Sequence, residues 1–195
     1  MSNPLNIVIA DNESIIRMDL REMLEEQGHI IVGEAHDGKQ ALELTRKYRP
    51  DLVMMDIKMP NMDGITAAKT IADEGISPVI LLTAFSDSEI VSRAKDAGVL
   101  AYLVKPIREE SISPAIEIAL SRWQEMKELE QELEETKDSL ELRKTLDRAK
   151  GILMDAHNIS ESEAYRRIQR YSMMKRKTIK EVAEAIVRAG LRKKN

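Results

Sequence analysis

Residues 51–64 read DLVMMDIKMPNMDG. The run Leu52–Met55 is apolar and strand-like, and Asp56 closes it. A carboxylate at the end of a buried strand is costly unless something pairs with it or uses it, so this stretch points to a site as well as a fold. The segments on either side alternate. Leu5–Ala10 is an apolar run, and Glu13–Gln27 carries Ile16, Leu20, Met23 and Leu24 at helical spacing before stopping near Gly28. Ile30–Gly33 reads as strand, Gly38–Tyr48 as helix, Asp51–Met55 as strand, Gly64–Asp73 as helix and Pro78–Thr83 as strand. Asp87–Ala97 then reads as a helix ending at Gly98, and Leu100–Val104 as a fifth strand. Near-continuous apolar strands such as NIVIA and VILLT need cover on both faces. The pattern predicts an α/β fold, a doubly wound five-stranded parallel sheet.

The 195 residues are 43% hydrophobic and 33% charged, which supports a core and argues against wholesale disorder. With one Phe, one Trp and four Tyr, that core must be aliphatic and Met-filled. The absence of Cys excludes disulfides, thiolate metal sites and cysteine nucleophiles, and fits a reducing compartment. MSNPLNIVIADNE has no basic stretch followed by a long apolar region, so it is not a signal peptide. No apolar run approaches the roughly 20 residues of a membrane helix. The expectation is a cytoplasmic protein with no membrane partner.

The net charge of −4 hides an asymmetry. Residues 1–140 hold 15 Lys/Arg against 27 Asp/Glu, whereas residues 141–195 hold 15 against 7. An acidic module joined to a basic one fits a chain whose basic end meets a polyanion, or whose basic face is merely solvated.

From Glu109 the alternation ends. Pro114 is expected in the first turn of a helix. Apolar or small residues then recur at Ile112, Ile116, Ala119, Trp123, Met126, Leu129, Leu133, Thr136 and Leu140, a heptad-like stripe with a stammer at Met126–Leu129. Flanked by KELEQELEETKD, the stripe predicts a long coiled-coil helix that pairs with a second copy, or else packs back on its own domains. Residues 141–190 read as three helices, a small all-α domain: one to about His157, one capped by Ser160 with Glu163, and one capped by Thr178 with Glu181. The expected domains are 1–120, a coiled-coil linker over 121–142, and 143–195.

Loops at the carboxyl ends of the strands of a doubly wound sheet gather into the functional crevice. Asp11 follows the first strand, Asp56 ends the third, Thr83 the fourth and Lys105 the fifth. Four polar residues from four runs therefore converge at one edge. The pieces IVIADNE, DLVMMDIKMPNMDG, LLTAF and AYLVKP resemble the receiver domain of bacterial two-component response regulators. The resemblance implies a flavodoxin-like fold, Asp56 as phosphoryl acceptor and a sensor histidine kinase as partner. It implies Mg²⁺ held by Asp11, Asp56 and the Lys58 carbonyl. Lys105 and Thr83 would contact the phosphoryl group, Tyr102 would act as a switch, and Pro106 would follow a cis peptide. One departure stands out: receivers carry two adjacent acids after the first strand, and here they are Asp11 and Asn12. The Asn12 amide brings no charge, so weaker Mg²⁺ binding is expected.

The stretch RAKGILMDAHNISESEAYRRIQRYSMMKRKTIKEVAEAIV resembles the ANTAR domain, an RNA-binding antitermination module, through AKG, EAY, SM and VAEAIV. Lys150, Arg166, Arg167, Arg170, Lys175, Arg176 and Lys177 are candidate phosphate contacts. Gly151 admits a close backbone or base, or serves tight helix packing. Tyr165 stacks on an unpaired base or belongs to the core. Ser172 and Met173 face a loop, or Met173 fills the core. The whole predicts a phosphorylation-dependent, dimeric antiterminator that binds RNA hairpins in nascent mRNA and is not an enzyme. The alternative is a receiver-controlled DNA-binding transcription factor.

Overall fold

The computed structural model describes residues 3–84 and 98–192, with side chains through Ala189. The expected helix Asp87–Ala97 lies outside the described residues. The chain divides into two units, Met1–Lys127 and Glu128–Asn195.

The first unit is a five-stranded sheet in the order β2-β1-β3-β4-β5. Its strands are β1 (Asn6–Ala10), β2 (Ile30–Ala35), β3 (Leu52–Asp56), β4 (Val79–Thr83) and β5 (Ala101–Val104), and every pairing is parallel. Between them run α1 (Ser14–Glu26), α2 (Gly38–Tyr48) and α3 (Gly64–Asp73). Successive strand side chains point to opposite faces, and the core divides accordingly. Val8, Val53, Met55, Val79 and Leu81 pack with Ala41 and Leu42 of α2 and Ile65 and Ile71 of α3. Ile7, Ile9, Leu52, Met54, Ile80 and Leu82 pack on the other face with Leu20 and Leu24 of α1. The central strands β1, β3 and β4 are buried almost throughout, whereas β2 and β5, at the sheet edges, are only partly so. The Lys105–Pro106 peptide is cis.

Helix α4 (Glu109–His157) follows. It begins earlier than Pro114 implied, so that residue sits in its second turn rather than its first. A proline there gives no N–H to the carbonyl one turn back. The expected heptad stripe splits in two. Ile112, Ile116 and Ala119 are buried in the sheet's second core cluster, whereas Leu129, Leu133 and Leu140 are 65%, 55% and 52% exposed.

The second unit combines the later part of α4 with α5 (Glu161–Lys175) and α6 (Ile179–Arg192). Its core is small: Ala149, Ile168, Val182 and Ala183, with Leu146, Leu153, Ile179, Ile186 and Val187 partly covered. The two capping boxes differ. At α6 the box is reciprocal: Glu181 N–H donates to the Thr178 hydroxyl at 3.2 Å, and Thr178 N–H donates to the Glu181 carboxylate at 2.7 Å. At α5 only Glu163 N–H to the Ser160 hydroxyl forms, at 3.3 Å, while the Glu163 carboxylate accepts from Arg167.

Candidate functional site: a buried acidic pocket and an exposed basic helix

Strand order reverses direction between β1 and β3, and open α/β sheets place their sites at such a point, beyond the strand ends. Asp11 and Asp56 stand there, 0% and 5% exposed. The Lys105 ammonium lies between them, 2.6 Å from Asp11 Oδ2 and 2.8 Å from Asp56 Oδ1. Lys105 leaves the end of β5, where its N–H donates to the Thr83 carbonyl at 2.7 Å, so Thr83 and Lys105 are neighbours across the strand ends. The sheet therefore brings together Asp11, Asp56, Thr83 and Lys105 as the strand endings anticipate. Burial pushes the Asp56 carboxyl above its ordinary range, an effect that Lys105 partly offsets. For Lys105, burial favours loss of the proton, but the bonds to Asp11 and Asp56 outweigh it and its pKa stands above the ordinary lysine value.

The pocket is braced by contacts invisible in the linear pattern. Asp11 Oδ1 accepts from the Glu13 N–H at 2.9 Å, and Arg17 donates to the Asp11 carbonyl at 2.6 Å. Asp56 Oδ2 accepts from the Lys58 N–H at 2.9 Å. The loop after β3 is clipped to the start of α2. Asn61 Nδ2 donates to Asp37 Oδ2 at 2.8 Å, Gln40 N–H donates to Asp37 Oδ1 at 2.8 Å, and Gly38 N–H reaches the Met62 carbonyl at 3.1 Å. Asp37 is 6% exposed, and these bonds, first from Gln40 and then from Asn61, hold its carboxyl below the ordinary range. A side chain at Gly64 would stand on the Asp56 carbonyl oxygen, so only glycine lets α3 start this close to the end of β3. The one sequence signal for the clip is Asn61 before MDG, since asparagine tolerates the left-handed backbone (φ 61°) that it adopts here.

Two carboxylates and a backbone carbonyl are hard oxygen donors of the kind Mg²⁺ takes. Asn12 is exposed and adds no charge, and no group of three or more His, Cys, Asp or Glu able to hold a metal occurs among the described residues. The Glu13 side chain makes no cap bond to α1. Tyr102 points outward from edge strand β5 and is 47% exposed.

In the second unit, the candidate cations separate into two kinds. Lys150 is clasped by Asp147 at 2.7 Å and Glu161 at 2.6 Å, which raise its pKa. Arg167 pairs with Glu163 at 3.4 Å. Arg166, Arg170, Lys175 and Arg176 are exposed and have no ion pair or side-chain hydrogen bond among the described residues. Lys177 is exposed beside the Glu181 carboxylate. Ser172 closes the α5–α6 turn by donating its hydroxyl to the Lys177 carbonyl at 2.6 Å, so it shapes the basic turn. Met173 is 69% exposed and Tyr165 38% exposed, which places neither in the core. A Cβ on Gly151 would meet nothing within 4 Å, so that glycine does not serve packing among the described residues. Tyr171 and Met174 are exposed as well, although the helical spacing of Tyr171 with Ala164 and Ile168 reads as the apolar face of α5.

Comparison with known proteins agrees with this division of the chain. Residues 7–117 match the response regulator receiver domain, and residues 134–187 match the ANTAR domain. The transcriptional regulatory protein PdtaR of Mycobacterium tuberculosis is 50% identical over 184 residues, covering 94% of this chain and 90% of that protein. The chemotaxis protein CheY of Bacillus subtilis is 37% identical over 116 residues, covering 59% of this chain and 97% of CheY. Among solved structures, the receiver domain of the response regulator NarL from M. tuberculosis superposes with a TM-score of 0.56 at 27% identity, covering 63% of this chain and 98% of that one. A chain of the CheX–CheY–BeF₃–Mg²⁺ complex of Borrelia burgdorferi gives 0.55 at 26%, covering 58% of this chain and 87% of that one. No described helix is long and apolar enough to cross a membrane. A buried Asp56 beside Asp11 and Lys105, carried on a sheet of this order and followed by a separate basic helical unit, places the chain in the response-regulator family, among those members that join a receiver domain to an ANTAR domain.

Proposed function

We propose that the chain is a phosphorylation-controlled antiterminator that binds hairpins in nascent RNA. Asp56 accepts a phosphoryl group from a sensor histidine kinase or a small phosphodonor, forming an acyl phosphate. Asp11, Asp56 and the Lys58 carbonyl are the residues that would hold Mg²⁺, with Asn12 at the edge. Bound there, the ion offsets repulsion between carboxylates and phosphoryl oxygens. Lys105 then moves its charge from the Asp56 carboxylate to the phosphoryl oxygens, and the Thr83 hydroxyl turns toward the same group. Tyr102, now outward, rotates into the space that Thr83 leaves. Phosphorylation adds nearly two negative charges in a buried site. The response favours a homodimer through the 121–142 stripe, where Leu129, Leu133 and Leu140 stand uncovered in the single chain. Each copy then presents the basic residues of its 143–195 domain, with Arg166, Arg170, Lys175, Arg176 and Lys177 on phosphates. Lys150 first has to leave its acidic clasp. No independent turnover is assigned to the chain.

The observation that carries the RNA reading is the exposed row of Arg166 and Arg170, without ion pairs among the described residues, in a domain of ANTAR type. The test compares native protein with Asp56→Asn, each treated with a small acyl phosphodonor and Mg²⁺. Self-association is followed by sedimentation, and binding is measured to a hairpin RNA pool and to duplex DNA. The native chain is expected to dimerise and to gain about tenfold in hairpin affinity, within the usual range for coupled sites. Asp56→Asn should show neither change. An equal gain in the variant rejects the phosphorylation link, and a preference for duplex DNA favours a DNA-binding factor instead.

A further inference from the structure

The second unit carries a groove of about 320 Å³ that the basic surface alone does not explain. Leu153, Ile168, Val182 and Ile186 line it, with Arg167 and Tyr171 on the α5 side. Tyr171 is 48% exposed, so much of its side chain is open to solvent. Arg167 and Tyr171 lie one helical turn apart in a row, and Arg166 and Arg170 form the adjacent row. Tyr165, which the sequence offers either for stacking or for the core, does not line the groove.

The charge around the groove decides its occupant. A second copy meeting this same patch through a two-fold axis would set Arg167 and Arg170 against their own counterparts, like charge against like. A polyanion is drawn to the same surface by Arg166, Arg170, Lys175 and Arg176. What then fits an apolar slot walled by a tyrosine is the flat face of an unpaired base, because RNA loops are read through splayed bases stacked on aromatic side chains. We propose that this groove takes one unpaired base of an RNA hairpin loop, stacked on Tyr171, with Arg167 and Arg170 on the flanking phosphates. The inference rests on the RNA reading given above and adds the element of the surface that senses the loop. Arg167 is free to change partner, because its contact with Glu163 at 3.4 Å joins half-exposed side chains.

The experiment selects hairpins with a randomised loop on the phosphorylated full-length chain, then replaces each loop position of the selected RNA by an abasic nucleotide. The native chain should lose roughly tenfold at one loop position, the scale of a single base–aromatic stack. Tyr171→Phe should behave as native. Tyr171→Ala should bind the intact hairpin roughly tenfold more weakly and no longer register the abasic change, with its salt dependence intact. Ala185→Phe fills the groove from α6 while leaving Tyr171 in place, and should give the same loss. It keeps the test decisive if Tyr171→Ala melts the domain. If the native chain selects a hairpin but both variants retain its affinity and its abasic penalty, the groove is not a base site and the RNA reading stands. If Tyr171→Ala alters only self-association, the groove belongs to a second copy. Failure of the native chain to select any hairpin defeats both readings.

Discussion

The two units of this chain treat charge in opposite ways. In residues 1–127, Asp11 and Asp56 are buried and share the Lys105 ammonium. In residues 128–195, Arg166, Arg170, Lys175 and Arg176 stand in solvent without ion pairs or side-chain hydrogen bonds among the described residues. The difference suits the chemistry proposed for each region. Charges that act on a phosphoryl group gain strength where water is excluded. Cations that meet a polyanion act by releasing its counterions, and this requires them at the surface. The cores match the division. The sheet carries two apolar clusters, one on each face, whereas the helical unit closes over Ala149, Ile168, Val182 and Ala183. A unit of that size is marginal by itself.

The contrast in cores gives the largest expected effect. Ile168→Ala removes the one large, fully buried side chain of the helical core and should cost about 2–5 kcal/mol. In urea, circular dichroism should show early loss of helix, while fluorescence of Trp123, which belongs to the first unit, keeps its midpoint. A single shared transition that moves as a whole would break the comparison, making the two units one cooperative body. The contrast in surface charge is sharpened by Arg166→Gln and Arg170→Gln. Each should reduce the slope of log affinity against log salt by about 0.7–0.9, one phosphate contact apiece, with little effect on stability. An unchanged slope removes that arginine from the RNA surface. In the acidic pocket, Asn12→Asp restores a charge and should tighten Mg²⁺ binding by about tenfold in calorimetric titration, since ligand charge tunes such sites. Equal affinities would show that Asn12 costs the pocket nothing.

The smallest effect concerns His29, whose Nδ1 accepts the Leu5 N–H at 3.3 Å where β1 begins. Burial lowers its pKa from the ordinary 6.5, so the unfolded chain binds this proton more readily than the folded one. The contribution is therefore complete above pH 6.5 and is lost as pH falls below it. His29→Gln should flatten that limb of the stability–pH curve. A limb of equal slope in the variant assigns it to other groups.

Much of this was legible along the chain. The apolar runs placed every described strand to within two residues at each end, because a buried parallel strand has almost no freedom in composition. Asp11, Asp56, Thr83 and Lys105 were found because each interrupts or ends such a run, and a doubly wound sheet gathers those ends at one edge. Asn12 was conspicuous only through the family resemblance, which implies an acid in its place. The Asp37–Asn61 clip was not, since it joins residues 24 apart through a turn conformation that no periodicity announces. The clasp on Lys150 was half visible: Asp147 lies three residues back on the same helix, but Glu161 arrives from α5.

The order of residues alone determined the layered sheet, the acid at its edge and the transfer of positive charge to the far end, for all three follow from local composition and period. Folding in three dimensions decided the rest. The α4 stripe is continuous in sequence, yet its first turns are buried against the sheet and its later leucines left open, because burial depends on what lies opposite each turn. Seven basic residues read alike until contact geometry neutralised Lys150 and left Arg166 and Arg170 bare. The choice between Tyr165 and Tyr171 likewise rested on which ring borders a space, and space belongs to no single segment of the chain.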